Sequence, residues 1–284
     1  MKKIESFVAK KEQEIAAAYK SVTAHAEYIA FLEAAVKDYY ETGMEKFYST
    51  FEEFGQTFTS EYDAAGILTG MAACSYWQAA VGFAANPDQQ GYNRLLNALH
   101  YNIQALLKCE EQGKIEESIF STDIALYIIL ATIYFPKDVA PLLQYFSFYV
   151  KTKKELMDAP LYADLLGKAD VIPLMMFVTA SSGVQLPDDH IKQYVHADIA
   201  PAYRKAMDQL YSEDPVVVTA WINEMANDHI AKSKDNWTLA FNHLTWQYFP
   251  VEIIALLVMR ARKGLSNDFI DNPLLHHFKP FMVP

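Results

Sequence analysis

Glycine, proline and cysteine are all scarce in this chain, at 10, 12 and 2 of 284 residues. Two cysteines, Cys74 and Cys109, are too few for a disulfide framework, and both lie in apolar helical patterns where a reduced, buried thiol is the usual outcome. Few glycines leave no phosphate cradle: neither Gly-x-x-x-x-Gly-Lys nor Gly-x-Gly-x-x-Gly occurs. Positive charge is also short. Lysine and arginine number 24 against 35 carboxylates, a net charge of −11. That argues against general nucleic-acid binding, which needs a basic face to neutralise phosphates. The longest largely apolar run, Ile124 to Phe135, covers 12 residues and is too short to span a bilayer. Glu5 and Lys10-Lys11-Glu12 interrupt what would be the apolar core of a secretory signal, so a cytoplasmic location is expected.

Catalytic and metal signatures are missing too. His-Glu-x-x-His and Gly-x-Ser-x-Gly do not occur, and Ser181-Ser182-Gly183 reads as a helix stop. His190 and His196 are six apart and fall on different faces of a helix. Glu224 and His229 are five apart, Asp228 and His229 are adjacent, and His276-His277 has no nearby carboxylate pair. No metal site and no cofactor are expected. The chain reads as a non-enzyme. An enzyme with a small-molecule pocket lined by tyrosines and a helical protein-interaction scaffold are the alternatives.

What the chain does have is helical periodicity and enough apolar residues, 52% of the total, for a large core. Apolar residues recur at three- and four-residue spacing over 2–20 and 23–40. After Gly43, residues Met44, Phe47, Phe51, Phe54 and Phe58 form a stripe over 44–58 that reads as core packing. Residues 62–85 are rich in alanine and glycine, which lets a neighbouring helix approach closely. Asn86-Pro87-Asp88 ends that helix. Further helices are expected over 88–112, 122–135 with a cap from Ser121-Thr122-Asp123, and 137–150. Others follow over 171–181, 188–196, 199–211, 215–231, 237–247 and 251–263. No run alternates with period two for long enough to demand a sheet, and no Asn-Gly or Asp-Gly hairpin signal is present. Met71 to Pro87 and Ala125 to Pro136 look loosely alike, but no regular repeat follows. The expectation is an all-α, irregular stack of roughly a dozen helices, forming one domain over 1–284 with a soft division near 151–170. Trp77, Trp221, Trp237 and Trp246 are expected to pack between helices with their indole N–H groups bonded.

Charge is unevenly spread. Residues 27–63 carry nine carboxylates against only Lys37 and Lys46. A solvated helix face is the plain explanation. The functional one is an acidic surface for a basic partner, with Glu41, Glu45, Glu52 and Glu53 as its contact residues.

The C-terminal segment is the most patterned. Phe249-Pro250-Val251-Glu252-Ile253-Ile254-Ala255-Leu256-Leu257 precedes Arg260, Arg262 and Gly264, then Asp271-Asn272-Pro273-Leu274-Leu275. Pro250 can open a helix, Glu252 suits its first turn, the arginines its last, and Gly264 a C-cap. Glu252, set among apolar neighbours, is expected to be buried and bonded, with the backbone of Asp271-Asn272-Pro273 as partner. This segment resembles the tail of bacterial polymorphic-toxin immunity proteins, especially the immunity protein 49 family. The stretch from Thr122 through Pro136-Lys137-Asp138 to Leu142-Leu143 is similar to that family's central helix and turn. Asp271-Asn272 stands where the family usually has an aromatic residue and leucine, and another helical immunity class, directed at DNase toxins, shares the aromatic-Glu-Ala helix. The resemblance implies an all-helical, non-enzymatic inhibitor that binds a cognate toxin domain, with a basic nuclease-type toxin as one candidate.

Overall fold

The computed structural model describes residues 2–156, 170–184, 199–236 and 239–282. Among them lie eleven α-helices and one two-stranded antiparallel hairpin. Among the described residues the fold is an all-α stack apart from that hairpin and an isolated bridge between Ser233 and Phe241. Packing divides the chain into two compact units, one of Gln13–Glu116 and one of Met1–Glu12 with Glu117–Pro284. Most of the soft division expected at 151–170, the helix expected at 188–196 and Trp237 lie outside the described residues.

The Gln13–Glu116 unit follows the later part of α1 (Lys2–Thr23) with α2 (Ala26–Thr42), β1 (Lys46–Glu53), β2 (Gln56–Asp63), α3 (Ala64–Ala85) and α4 (Gln89–Glu111). Gly43, at φ 73°, ends α2 and returns its N–H to the Tyr39 carbonyl. Asp63 caps α3 by accepting from the Gly66 N–H at 2.8 Å, and Asp88 caps α4 by accepting from the Gly91 N–H at 2.6 Å. The small residues of α3 do what their size allows. A Cβ on Gly70 would sit 3.0 Å from Leu32 Cδ2 and from the Tyr28 hydroxyl, so this glycine sets how closely α2 approaches. Leu32, Ala35 and Val36 of α2 then join Phe47, Ile67, Leu68 and Ala105 in one apolar cluster.

The second unit is built around two helices that are apolar nearly all round. In α5 (Ser121–Tyr134) every residue from Thr122 to Ile133 is buried, and in α11 (Val251–Arg262) every residue from Val251 to Arg260 is. Helices of that kind form interiors. Around them lie α6 (Val139–Leu156), α7 (Val171–Ser181), α8 (Pro201–Gln209), α9 (Pro215–Lys232) and α10 (Leu244–Tyr248), then a 3-10 turn at Pro273–Leu275. Gly264 (φ 77°) closes α11 in a Schellman arrangement, with Leu265 N–H donating to the Arg260 carbonyl and Gly264 N–H to that of Ala261. Arg260 is itself buried. Its guanidinium donates to the carbonyls of Leu210 and Ser212 beyond the end of α8, while Arg262 donates to the Ile133 carbonyl in the last turn of α5. These cations satisfy carbonyls that helix ends leave open.

Three expectations are corrected. Residues 46–63 form a hairpin, not a helix. Residues 239–243 of the helix expected over 237–247 are irregular, and helix begins at Leu244. The cap of α5 comes from its third residue: Asp123 Oδ2 accepts from the Phe120 N–H at 2.8 Å, so Phe120 is the N-cap and Ser121 lies inside the helix.

Candidate functional site

The hairpin stands out from the Gln13–Glu116 unit by its exposure. Register pairs Lys46 with Asp63 at its base and Glu53 with Gln56 at its tip. Side chains alternate across the two faces. Phe47, Ser49 and Phe51 share one face with Phe58, Ser60 and Tyr62. Phe47 is buried and Tyr62 packs with Phe31 and Tyr28, which anchors the base in the apolar cluster. Further out the same face is open. Phe51 and Phe58 stack on each other, ring centroids 5.7 Å apart, yet remain 44% and 40% exposed. The opposite face carries Tyr48, Thr50, Glu52, Thr57, Thr59 and Glu61, all exposed.

Phe54 and Gly55 make the two-residue turn, with φ of 51° and 73°. Two positive values in a two-residue loop are the signature of a type I′ turn, whose first position favours asparagine, aspartate or glycine. Phe54 is the one non-glycine residue with positive φ among the described residues, and its side chain is 94% exposed. Nine large apolar side chains are exposed among the described residues, and six of them (Tyr40, Met44, Tyr48, Phe51, Phe54 and Phe58) fall between residues 40 and 58. The stripe expected to be core is therefore mostly surface. Only Phe47 of its five members is buried.

The four candidate contact acids are placed in this region unequally. Glu52 is exposed on the hairpin near its tip. Glu41 is exposed at the end of α2, 4.0 Å from Lys37. Glu45 is already engaged, 2.6 Å from Lys108, which also holds Glu111 at 2.8 Å. Those two bonds, Glu111 first, raise the Lys108 pKa. The side chain of Glu53 lies outside the described ones. Lys46, the lysine of the hairpin, is bonded to Glu61 at 2.7 Å. Negative charge at the tip thus faces solvent beside exposed aromatic rings.

The second unit holds a buried polar chain. Glu252 is fully buried, as expected, but its partner is His229 rather than the 271–273 backbone. Glu252 Oε1 lies 2.8 Å from His229 Nδ1. His229 Nε2 donates to the Gln247 carbonyl at 3.2 Å. Gln247 donates to the carbonyls of Phe241 and Asn242 and accepts from the buried Lys11 at 2.6 Å. Phe241 and Phe7 enclose the imidazole. This ties α9, α10 and α11 to the start of α1 within one unit. Beside it Lys232 binds Asp170 and Asp228 and lies over the Tyr203 ring. Burial first, and then the charge of Glu252, push the Tyr203 hydroxyl well above its ordinary range. With every ring enclosed, the chain organises the fold.

Remaining candidates have structural places. Pro250 is the N-cap of α11, its carbonyl accepting from Ile253 and Ile254. Asp271 is exposed and pairs with His276 at 2.9 Å. Pro273 opens the 3-10 turn, capped by the Asn272 side chain, which accepts from the Leu274 N–H at 3.0 Å. Trp246 packs edge-on to Tyr127, and the indole N–H of buried Trp221 has no partner among the described residues. Burial pushes Asp123 up to about 6, against the pull of His243, whose Nε2 is 3.6 Å from Oδ2. Burial raises both thiols, Cys109 to about 11, which keeps them protonated at neutral pH. No group of three histidine, cysteine or acidic side chains is arranged to hold a metal ion among the described residues. An open groove of about 420 Å³ runs between α3 and α4, lined by Ser75, Gln78, Arg94, Asn97 and Tyr101 among others. No helix among the described residues is long and apolar enough to cross a membrane.

Set against known proteins, the chain matches no protein-family model, no curated protein and no solved structure.

Proposed function

We propose that this chain is a non-enzymatic immunity protein that works in the bacterial cytoplasm by binding and neutralising a cognate toxin domain with a basic surface, a nuclease-type toxin being the best fit. One observation carries the reading: the unit Gln13–Glu116 exposes an aromatic hairpin within its most acidic stretch. Contiguous exposed apolar rings rimmed by polar groups mark protein-interaction surfaces. The excess of carboxylates over lysines in residues 27–63, with Glu52 exposed near the tip, favours a cationic partner and speeds its approach. Nuclease domains carry such a surface because they must hold phosphates. The C-terminal resemblance to immunity proteins points the same way.

The groove between α3 and α4 favours a second reading, a small-molecule or peptide site. Its size and its mix of Arg94, amides and a tyrosine are compatible with a small anionic ligand.

Co-expression separates the two. Any basic toxin domain found encoded beside this gene is produced in cells with or without the protein. Survival only with the protein supports neutralisation. Equal killing in both cultures, or a neighbourhood of metabolic genes without a toxin, rejects it.

A further inference from the structure

Phe54 breaks a local rule without benefit to the fold. A left-handed backbone is unfavourable for an L-residue with a Cβ, and the turn it occupies accepts asparagine or glycine at much lower cost. The phenyl ring recovers nothing in return, because it is 94% exposed. Behind it the stacked Phe51–Phe58 pair forms an apolar shoulder on one face, and Glu52 is exposed on the other, two residues before the turn. A two-stranded hairpin open on both faces is marginal in water. Exposed anchors of this kind gain their energy on burial by a partner.

We propose that Phe54 is the anchor of a docking hairpin: its ring enters an apolar pocket on a folded protein partner, and lysines and arginines rim that pocket to meet Glu52 and the neighbouring carboxylates. This rests on the neutralisation reading and adds which side chain makes the contact and what receives it. Charge selects the occupant. Lys46, the hairpin's one lysine, is held by Glu61, and residues 46–63 carry four carboxylates in all, so the hairpin is net negative. A second copy of the chain would bring two acidic tips together, and an anionic lipid surface would be repelled.

The test compares wild type with Phe54→Asn, Phe54→Trp and Tyr211→Asn, the last removing an exposed ring outside the hairpin. Thermal melting needs no partner. Phe54→Asn is expected to raise the melting temperature by about 2–4 °C, by relieving the turn. Binding is then measured to the purified basic toxin domain, inactivated at its own active site. Phe54→Asn is expected to weaken it roughly 30-fold or more, the range of an interface anchor. Phe54→Trp should keep most of the affinity and Tyr211→Asn all of it. Gain of stability with loss of binding is the expected signature. A lower melting temperature for Phe54→Asn overturns the proposal, because the ring then packs in the fold. Unchanged binding by a variant whose wild type protects cells overturns the anchor alone. A wild type that neither binds nor protects removes the neutralisation reading, and the anchor with it. Self-association of the wild type that Phe54→Asn abolishes assigns the hairpin to a second copy and overturns the proposal.

Discussion

At the residue scale, burial separates two glutamates that look alike in composition. Glu252 is fully buried against His229, while Glu52 is exposed on the hairpin. Removing Glu252 leaves one imidazole nitrogen buried without its partner, which costs about 1–3 kcal/mol, whereas a surface change stays within about 0.5 kcal/mol. Denaturant unfolding should therefore show Glu252→Ala clearly less stable than wild type and Glu52→Ala indistinguishable from it. Equal midpoints for the two variants would mean that the His229 contact contributes nothing. Asp123 gives a pH signature of opposite sense to the common one for a carboxylate. Its folded pKa, about 6, lies above the unfolded value of 3.8, so between those pH values the folded state binds more protons than the unfolded state. Stability from this group is then fully present below about pH 4 and is lost as pH rises to about 6, by on the order of 2–3 kcal/mol at most. Asp123→Asn can still accept from the Phe120 N–H. The wild-type minus Asp123→Asn stability difference should fall across that window; a flat difference would contradict the burial argument.

At the element scale, two glycines invite the same substitution with opposite signs. Gly264 closes α11 at φ 77°, where a Cβ is strained, so Gly264→Ala should destabilise by about 1–2 kcal/mol. Gly82 lies inside α3, and nothing stands within 4 Å of a Cβ there, so Gly82→Ala should stabilise by about 0.5–1 kcal/mol. Melting curves check both, and a shared sign would mean that the backbone at one of them differs from this description. Most helices were legible because their signals are local: Asn86-Pro87-Asp88, Pro215, Pro250 and Gly264 all punctuate where expected. The hairpin was not legible for a definable reason. Phe47, Phe51 and Phe58 repeat at spacings that fit a helical stripe, but four is also an even number, so Phe47 and Phe51 equally share one face of a strand. The signal that could have decided it, Asn-Gly or Asp-Gly in the turn, is replaced by Phe54-Gly55. The same substitution that hid the element marks it as the candidate site. His229 was likewise hidden as Glu252's partner, since the two are 23 residues apart and only tertiary packing joins them.

At the scale of the whole molecule, the carboxylates of 27–63 and the exposed rings make different contributions to one event. Charges act at a distance and set the approach; rings act in contact and set the lifetime. The acids were readable from composition, although Glu45 is partly spent on Lys108. The rings were readable only as apolar, and their exposure required the structure. The most direct measurement of the central claim is stopped-flow association with the basic toxin domain at rising salt, for wild type and for a variant with Glu41, Glu45, Glu52 and Glu53 reversed to lysine. Screening shortens from about 10 Å at 0.1 M to about 3 Å at 1 M. The wild-type rate should fall steeply over that range, and the variant should associate slowly at all salt concentrations while keeping its helical circular dichroism. A rate indifferent to both salt and the four reversals would contradict docking through the acidic hairpin face.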